Sequence, residues 1–129
     1  MTRVVVDASA FAAIVFHEPG FEAIRRKLDR AEVFAPRLLQ YELTNTAWKK
    51  ARREPSKTAV IFAALAEAFD DRWGLVWCDV DAPDVAVLAH ATGLTGYDAA
   101  YVWLAGSLGA DLVTLDEDLV KAVDALRDL

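Results

Sequence analysis

Asp7, Glu42, Asp98 and Asp116 each fall where a strand or a turn gives way to a helix, and four carboxylates so placed resemble a divalent-cation site. Gathering them is costly. Two like charges 4 Å apart repel by about 1 kcal/mol in water and by about 4 kcal/mol at an effective dielectric of 20, so something cationic must offset the repulsion. Oxygen donors are hard ligands suited to Mg²⁺ or Mn²⁺. Zinc would ask for paired histidines or spaced thiolates, whereas His17 and His90 are far apart in the chain and Cys78 is its one cysteine. Taken singly, each acid also has a local explanation. Asp7 and Asp116 suit helix N-caps, Asp98 is the third residue of a capping box opened by Thr95, and Glu42 suits the positive end of its helix. The set, more than any member, points to a shared site.

Two further patterns suit phosphodiester chemistry. Glu42, Asn45, Lys49, Arg52 and Arg53 recur at helical spacing, which makes one stripe leading away from a carboxylate and able to guide a phosphate backbone. The same stripe also reads as a solvated helix face whose basic end matches the helix dipole. Arg25, Arg26 and Lys27 form a second, weaker basic cluster. Ser9 and Thr114 lie two residues from Asp7 and Asp116, close enough to hydrogen-bond a carboxylate, a coordinated water or a phosphate oxygen, or to cap locally.

These residues are positioned by alternating strands and helices. Arg3–Val6 is a β-branched run ending at Asp7, and Phe11, Ile14 and Val15 continue at helical spacing. Gly20 separates a second helix, Phe21 to Asp29. Glu32–Ala35 reads as a strand, and Pro36 opens a helix running to about Arg53. Pro55-Ser56 breaks the pattern before an apolar helix, Thr58 to Phe69, with Gly74 as its stop and Leu75–Val80 as a third strand. Asp81 caps a helix from near Pro83 to Gly93. Thr95 caps the next, in which Tyr97, Ala100, Tyr101, Leu104, Ala105 and Leu108 make one stripe before Gly109 ends it. Asp111–Thr114 is a fourth strand, and Asp116 starts a last helix with Leu119, Val123 and Leu126. This order implies an α/β fold with a parallel sheet covered on both faces, and sites in such folds lie at the carboxyl ends of strands, where Asp7 and Asp116 fall.

Length and composition set the frame. The 129 residues suit a single domain, residues 1–129, with one core. Hydrophobic residues make up 55%, an apolar surplus that suits an oligomer, and Phe62, Leu65 and Phe69 on the Thr58–Phe69 helix are where a partner or the core would use it. Asp7 interrupts the N-terminal apolar run, no run is long enough to span a bilayer, and the lone cysteine excludes an internal disulfide, so a cytoplasmic setting is expected. The net charge of −6 argues against nucleic acid gripped by general basicity, unless acids gathered in one site are offset by bound cations.

The strings V-V-V-D-A-S at 4–9, Y-E-L-T-N at 41–45, G-Y-D-A-A-Y-V-W-L-A at 96–105 and L-V-T-L-D-E-D-L at 112–119 resemble the PIN-domain nucleases, specifically the VapC-like toxin ribonucleases. The likeness spans nearly the whole chain. It implies a three-layer PIN-like fold with four or five parallel strands and a Mg²⁺- or Mn²⁺-dependent endoribonuclease. It further implies the toxin of a toxin–antitoxin pair, a homodimer held inactive by a cognate antitoxin. Asp7, Glu42, Asp98 and Asp116 match the family's acidic quartet, Asp118 an additional acid of some members, and Ser9, Asn45 and Thr114 its accompanying polar positions. The resemblance also implies metal-assisted in-line attack of water at phosphorus, leaving a 5′-phosphate and a 3′-hydroxyl.

Departures and rivals define what must be checked. Family members often end in a fifth strand, whereas this chain closes on K-A-V-D-A-L-R-D-L without an apolar β run. A haloacid-dehalogenase-type phosphotransferase needs an aspartate where Ser9 stands, and a signalling receiver needs an acidic pair where Asp7 has no acidic neighbour. A catalytically silent PIN-like binding or regulatory subunit would be expected to have lost one of the four acids, and a PIN nuclease outside a toxin–antitoxin pair would keep them all.

Overall fold

In a computed structural model, which describes residues 2–70 and 73–127, the chain forms a four-stranded parallel sheet flanked by helices. The elements run β1 (Thr2–Val6), α1 (Ala8–Val15), α2 (Phe21–Leu28), β2 (Ala31–Pro36), α3 (Leu38–Arg53) and α4 (Thr58–Ala68). They continue β3 (Val76–Cys78), α5 (Ala82–Thr92), α6 (Gly96–Leu108), β4 (Asp111–Val113) and α7 (Glu117–Arg127). A short 3-10 turn, Pro55–Lys57, joins α3 to α4.

The strand order is β3-β2-β1-β4, so the sheet grows from β1 through β2 to β3 and then returns to add β4 on β1's other side. Contacts group α1 to α4 on one face and α5 with α6 on the other, as the right-handed crossovers usual between parallel strands would place them. Reversal of direction at β1 leaves a crevice beyond the carboxyl ends of β1 and β4, where open α/β sheets bind ligands. The register carries this to residue level. Val6 pairs with Val113 as the last rung, and the Asp7 N–H donates to the Val113 carbonyl at 3.2 Å, which brings the residues just past each strand side by side.

Val4, Val5 and Val6 are buried, as expected of a central parallel strand covered on both faces. The main core gathers them with Phe11, Ile14, Ile24, Leu39, Leu43, Tyr101 and Leu104. A smaller cluster of Val85, Ala99 and Ala100 lies between α5 and α6. The alanine-rich faces of α1 and α6 allow close approach to the sheet.

Several boundaries differ from the sequence expectation. Pro36 closes β2 instead of opening a helix, and α3 starts two residues later at Leu38. Pairing of β2 with β1 ends at Phe34, and the Arg37 N–H bonds the Cys78 carbonyl of β3. The donor that proline lacks therefore falls on the β1 side, where no rung remains. The third strand is three residues, shorter than the expected Leu75–Val80, in keeping with an edge strand paired only to β2. Gly74 has φ +62, the left-handed region that favours glycine, but α4 ends before it, at Ala68. Tyr97 leaves the apolar stripe of α6 and is 66% exposed. It stands in the first turn, beyond the sheet edge, and the helix buries Ala99 to Val102 on two sides because it packs against both α5 and the strands. Four strands are present among the described residues, and α7 ends at Arg127 without a following strand among them.

Candidate active site

Asp7 is the N-cap of α1 and only 5% exposed. Its Oδ1 accepts hydrogen bonds from the Ala10 N–H at 3.0 Å and the Ser9 hydroxyl at 2.8 Å, while its Oδ2 accepts one from the Thr114 hydroxyl. Ser9 Oγ in turn accepts from the Leu115 N–H at 3.0 Å, and Thr114 Oγ1 from the Asp116 N–H at 3.0 Å. Ser9 and Thr114 therefore act across the β1/β4 crevice, locking the Asp7 carboxylate, in addition to any local turn. Asp116 caps α7: its Oδ1 accepts from the N–H groups of Asp118 at 2.9 Å and Leu119 at 3.3 Å.

The other two acids arrive on helices whose N-termini must return to the same edge. The helix α3 leaves the carboxyl end of β2, so Glu42, in its second turn, stays near that edge. The helix α6 runs down to the start of β4, which puts its first turn, with Asp98, at the top. The Asp98 N–H donates to Thr95 Oγ1 at 3.1 Å, the backbone half of the expected capping box. Glu42 Oε1 accepts a hydrogen bond from the Tyr101 hydroxyl at 2.6 Å.

The electrostatics tie these groups together. Burial pushes the Asp7 carboxyl above its ordinary pKa, hydrogen bonds from Thr114, the Ala10 backbone and Ser9 pull it partly back, and the charge of Asp116 raises it further. Burial likewise raises Glu42, against the lowering bond from Tyr101 and with the added repulsion of Asp98 and Asp7. Asp98 is raised by burial and then by Asp116 and Asp7. Among the described residues, no lysine or arginine is among the charges acting on these three carboxylates. The Tyr101 phenol is pushed far up, chiefly by burial and then by its bond to Glu42, which keeps it a protonated donor. Among the described residues, no three histidine, cysteine or acidic side chains stand close enough to hold one metal ion as placed. The quartet is coupled through space in an open crevice, not closed into a ready-made cage.

The remaining candidates divide. Asp118 is exposed in the first turn of α7 and meets the site through its backbone N–H. Asn45, Lys49, Arg52 and Arg53 are exposed along α3; Arg52 stacks its guanidinium 4.8 Å from the Trp48 ring. Arg53 shares a groove with Lys50, Lys57 and His17. Lys50, absent from the sequence-based stripe, pairs with Glu18 at 3.3 Å. Arg25 and Arg26 line a cavity of about 440 Å³ with Leu28, Ala31 and Leu75 at the amino end of the strands, so this cluster is not brought to the carboxylates. On α4 Phe62 is exposed, while Leu65 and, at the helix C-cap, Phe69 are partly buried against the main core, the other use the sequence left open for them. His17 stacks near Phe21. The Cys78 thiol is pushed up by burial and by Asp79, away from reactivity. Tyr101 is the residue that sequence reasoning assigned to packing alone; the available signal was a hydroxyl on an apolar stripe three residues after Asp98.

Residues 4–125 match the family model described as the PIN domain. The chain is 37% identical over 128 residues to Ribonuclease VapC3 of Pyrobaculum aerophilum, covering 96% of this chain and 97% of that one. It is 34% identical over 125 residues to Exonuclease VapC9 of the same organism, covering 97% and 89%. The crystal structure of PAE2754 from Pyrobaculum aerophilum superposes with a TM-score of 0.74 at 29% identity, covering 97% of this chain and 93% of that one.

Proposed function

Since the chain belongs to the PIN-domain family, we propose that it is a Mg²⁺- or Mn²⁺-dependent endoribonuclease, the toxin of a toxin–antitoxin module, acting in the cytoplasm. The observation that carries the reading is the Asp7 carboxylate, buried and held on both oxygens, under the charge of Asp116 and itself repelling Glu42 and Asp98, with no lysine or arginine among the described residues acting on them. That donor set fits a hard divalent ion: oxygens alone, carboxylates destabilised in their charged form, and an open crevice in which side chains can close by rotation. The relatives named ribonuclease and exonuclease support nucleic-acid cleavage.

Asp7, Glu42, Asp98 and Asp116 would hold the ion, with Asp118 an added acid at the rim. A bound divalent ion supplies an activated water and charge neutralisation at the scissile phosphate. The chain's own residues do the rest. Ser9 and Thr114 keep the Asp7 carboxylate in one orientation, so its position costs no reorganisation during reaction. Asp116, fixed by the α7 backbone, stands opposite. Asn45, Lys49, Arg52 and Arg53 lie on α3 beyond Glu42, where an RNA backbone leaving the crevice meets donors and positive charge. Attack at phosphorus in line with the 3′-oxygen leaves a 5′-phosphate and a 3′-hydroxyl. Phe62, exposed on α4, marks the surface assigned to a second copy or to an antitoxin, and the chain is taken to form a homodimer. Among the described residues no helix is long and apolar enough to cross a membrane.

The test is cleavage of a circular single-stranded RNA and its linear form by purified, antitoxin-free protein with Mg²⁺ or Mn²⁺. Both are expected to be cut, and Asp7→Asn and Asp98→Asn are each expected to lose about 100-fold or more in rate while staying folded. Cutting of the linear form alone would make the enzyme an exonuclease. Unchanged cleavage by both variants would remove the site assignment.

A further inference from the structure

We infer that Tyr101 is a positioning residue of the carboxylate crevice: its buried hydroxyl holds Glu42 in place opposite Asp98. This rests on the metal-site reading above. Tyr101 is 1% exposed and heads the fully buried side chains by volume, so its ring is accounted for by the core. Its hydroxyl is not. Phenylalanine would fill nearly the same space, and burying a hydroxyl is unfavourable unless it finds a partner. The partner is Glu42 Oε1 at 2.6 Å, the short distance of a hydroxyl bonded to a charged acceptor.

The place of Tyr101 in the fold gives that bond its consequence. Asp98 and Tyr101 are three residues apart on α6 and share a helix face. The hydroxyl therefore ties the acid of α3 to the helix that presents Asp98, across the carboxyl edge of the sheet. Each of the other acids is set by shorter means. Asp7 is gripped by Ser9, Thr114 and a backbone N–H, Asp116 by two backbone N–H groups, and Asp98 stands on a short side chain in a capped first turn. Glutamate has one more rotatable bond than aspartate and is repelled by both Asp98 and Asp7, so without the tether it would swing toward solvent. Tyr101 engages Oε1, which leaves Oε2 for a ligand.

The experiment is calorimetric titration of the full chain with Mn²⁺, using wild type, Tyr101→Phe, Glu42→Gln and the double variant, with melting temperatures recorded in EDTA. Tyr101→Phe is expected to stay folded and to weaken Mn²⁺ binding about 10-fold or more. In the Glu42→Gln background the same substitution is expected to change the affinity little, because the hydroxyl acts through the carboxylate. If Tyr101→Phe melts below the assay temperature, all four titrations are run at a lower temperature at which it is folded, and the same weakening is expected. Wild-type affinity in Tyr101→Phe, or equal weakening by Tyr101→Phe in both backgrounds, overturns the positioning role and leaves the metal site standing. No Mn²⁺ binding by wild type overturns both.

Discussion

Asp7 caps α1 through Oδ1 and is, among the described residues, the most buried charged side chain. Capping stabilises α1; the remaining bonds, from Ser9 and Thr114, serve the crevice. The raised carboxyls have a consequence for stability. Asp7, Glu42 and Asp98 are all shifted upward in the folded chain, so the stability they confer is full below their unfolded values, near pH 4, and is lost as pH rises through the folded values. Metal-free protein in EDTA is therefore expected to lose melting temperature from these groups as pH rises from about 4 toward neutrality. Asp98→Asn, which removes one repelling charge, is expected to melt at the wild-type temperature or about 1 to 3 °C above it at pH 7. Adding Mn²⁺ should then raise wild type more than the variant. Scanning calorimetry with and without EDTA checks both, and equal Mn²⁺ shifts would mean the acids do not share an ion.

Helix α6 carries two residues of the proposed site: Thr95 starts it, Asp98 and Tyr101 stand in its first two turns, and Gly109 ends it in the left-handed region at φ +61. A Cβ at Gly109 would meet nothing within 4 Å, so substitution there tests the backbone alone. Gly109→Ala is expected to cost about 1 to 2 kcal/mol in a urea melt, with little effect on cleavage of folded protein, because the strain lies at the end far from Asp98. The helix is also where periodicity misled. Its buried residues run round two sides, so a one-stripe reading placed the exposed Tyr97 inside and treated Tyr101 as packing alone. Pattern reports which face is apolar; it does not report that a hydroxyl on that face will find a carboxylate 59 residues away.

Over the whole molecule, a net charge of −6 coexists with a basic stretch on α3 because the acids that dominate the sum include four gathered at one crevice. From Glu42 to Arg53 the helix rises about 16 Å, so the positive charges begin beyond the carboxylates. Arg52→Glu and Arg53→Glu in the cleavage-deficient Asp7→Asn chain are each expected to weaken RNA binding across sequences and to reduce the slope of log K against log salt by about 0.7 or more. Fluorescence anisotropy across a salt series measures it; an unchanged slope in both would remove α3 from the RNA path. The Arg25–Lys27 cluster lies at the other end of the strands and is no part of that path, a separation set by topology and invisible in local spacing.

The amino-acid sequence by itself determined the element order, the caps at Asp7, Asp81, Thr95 and Asp116, and the parallel sheet, because each follows from short-range periodicity and from side chains that bond within a few residues. It also singled out the four acids, as a set placed where strands or turns give way to helices and matched by the strings that resemble the family. The tertiary structure alone decided the rest. Return of the chain to β1's free side set Thr114 against Asp7, and the crossing of α3 and α6 over the carboxyl edge set Tyr101 against Glu42. Those contacts join residues 107 and 59 positions apart. No local rule reaches so far, because the partners of a buried polar group are chosen by which strands and helices become neighbours.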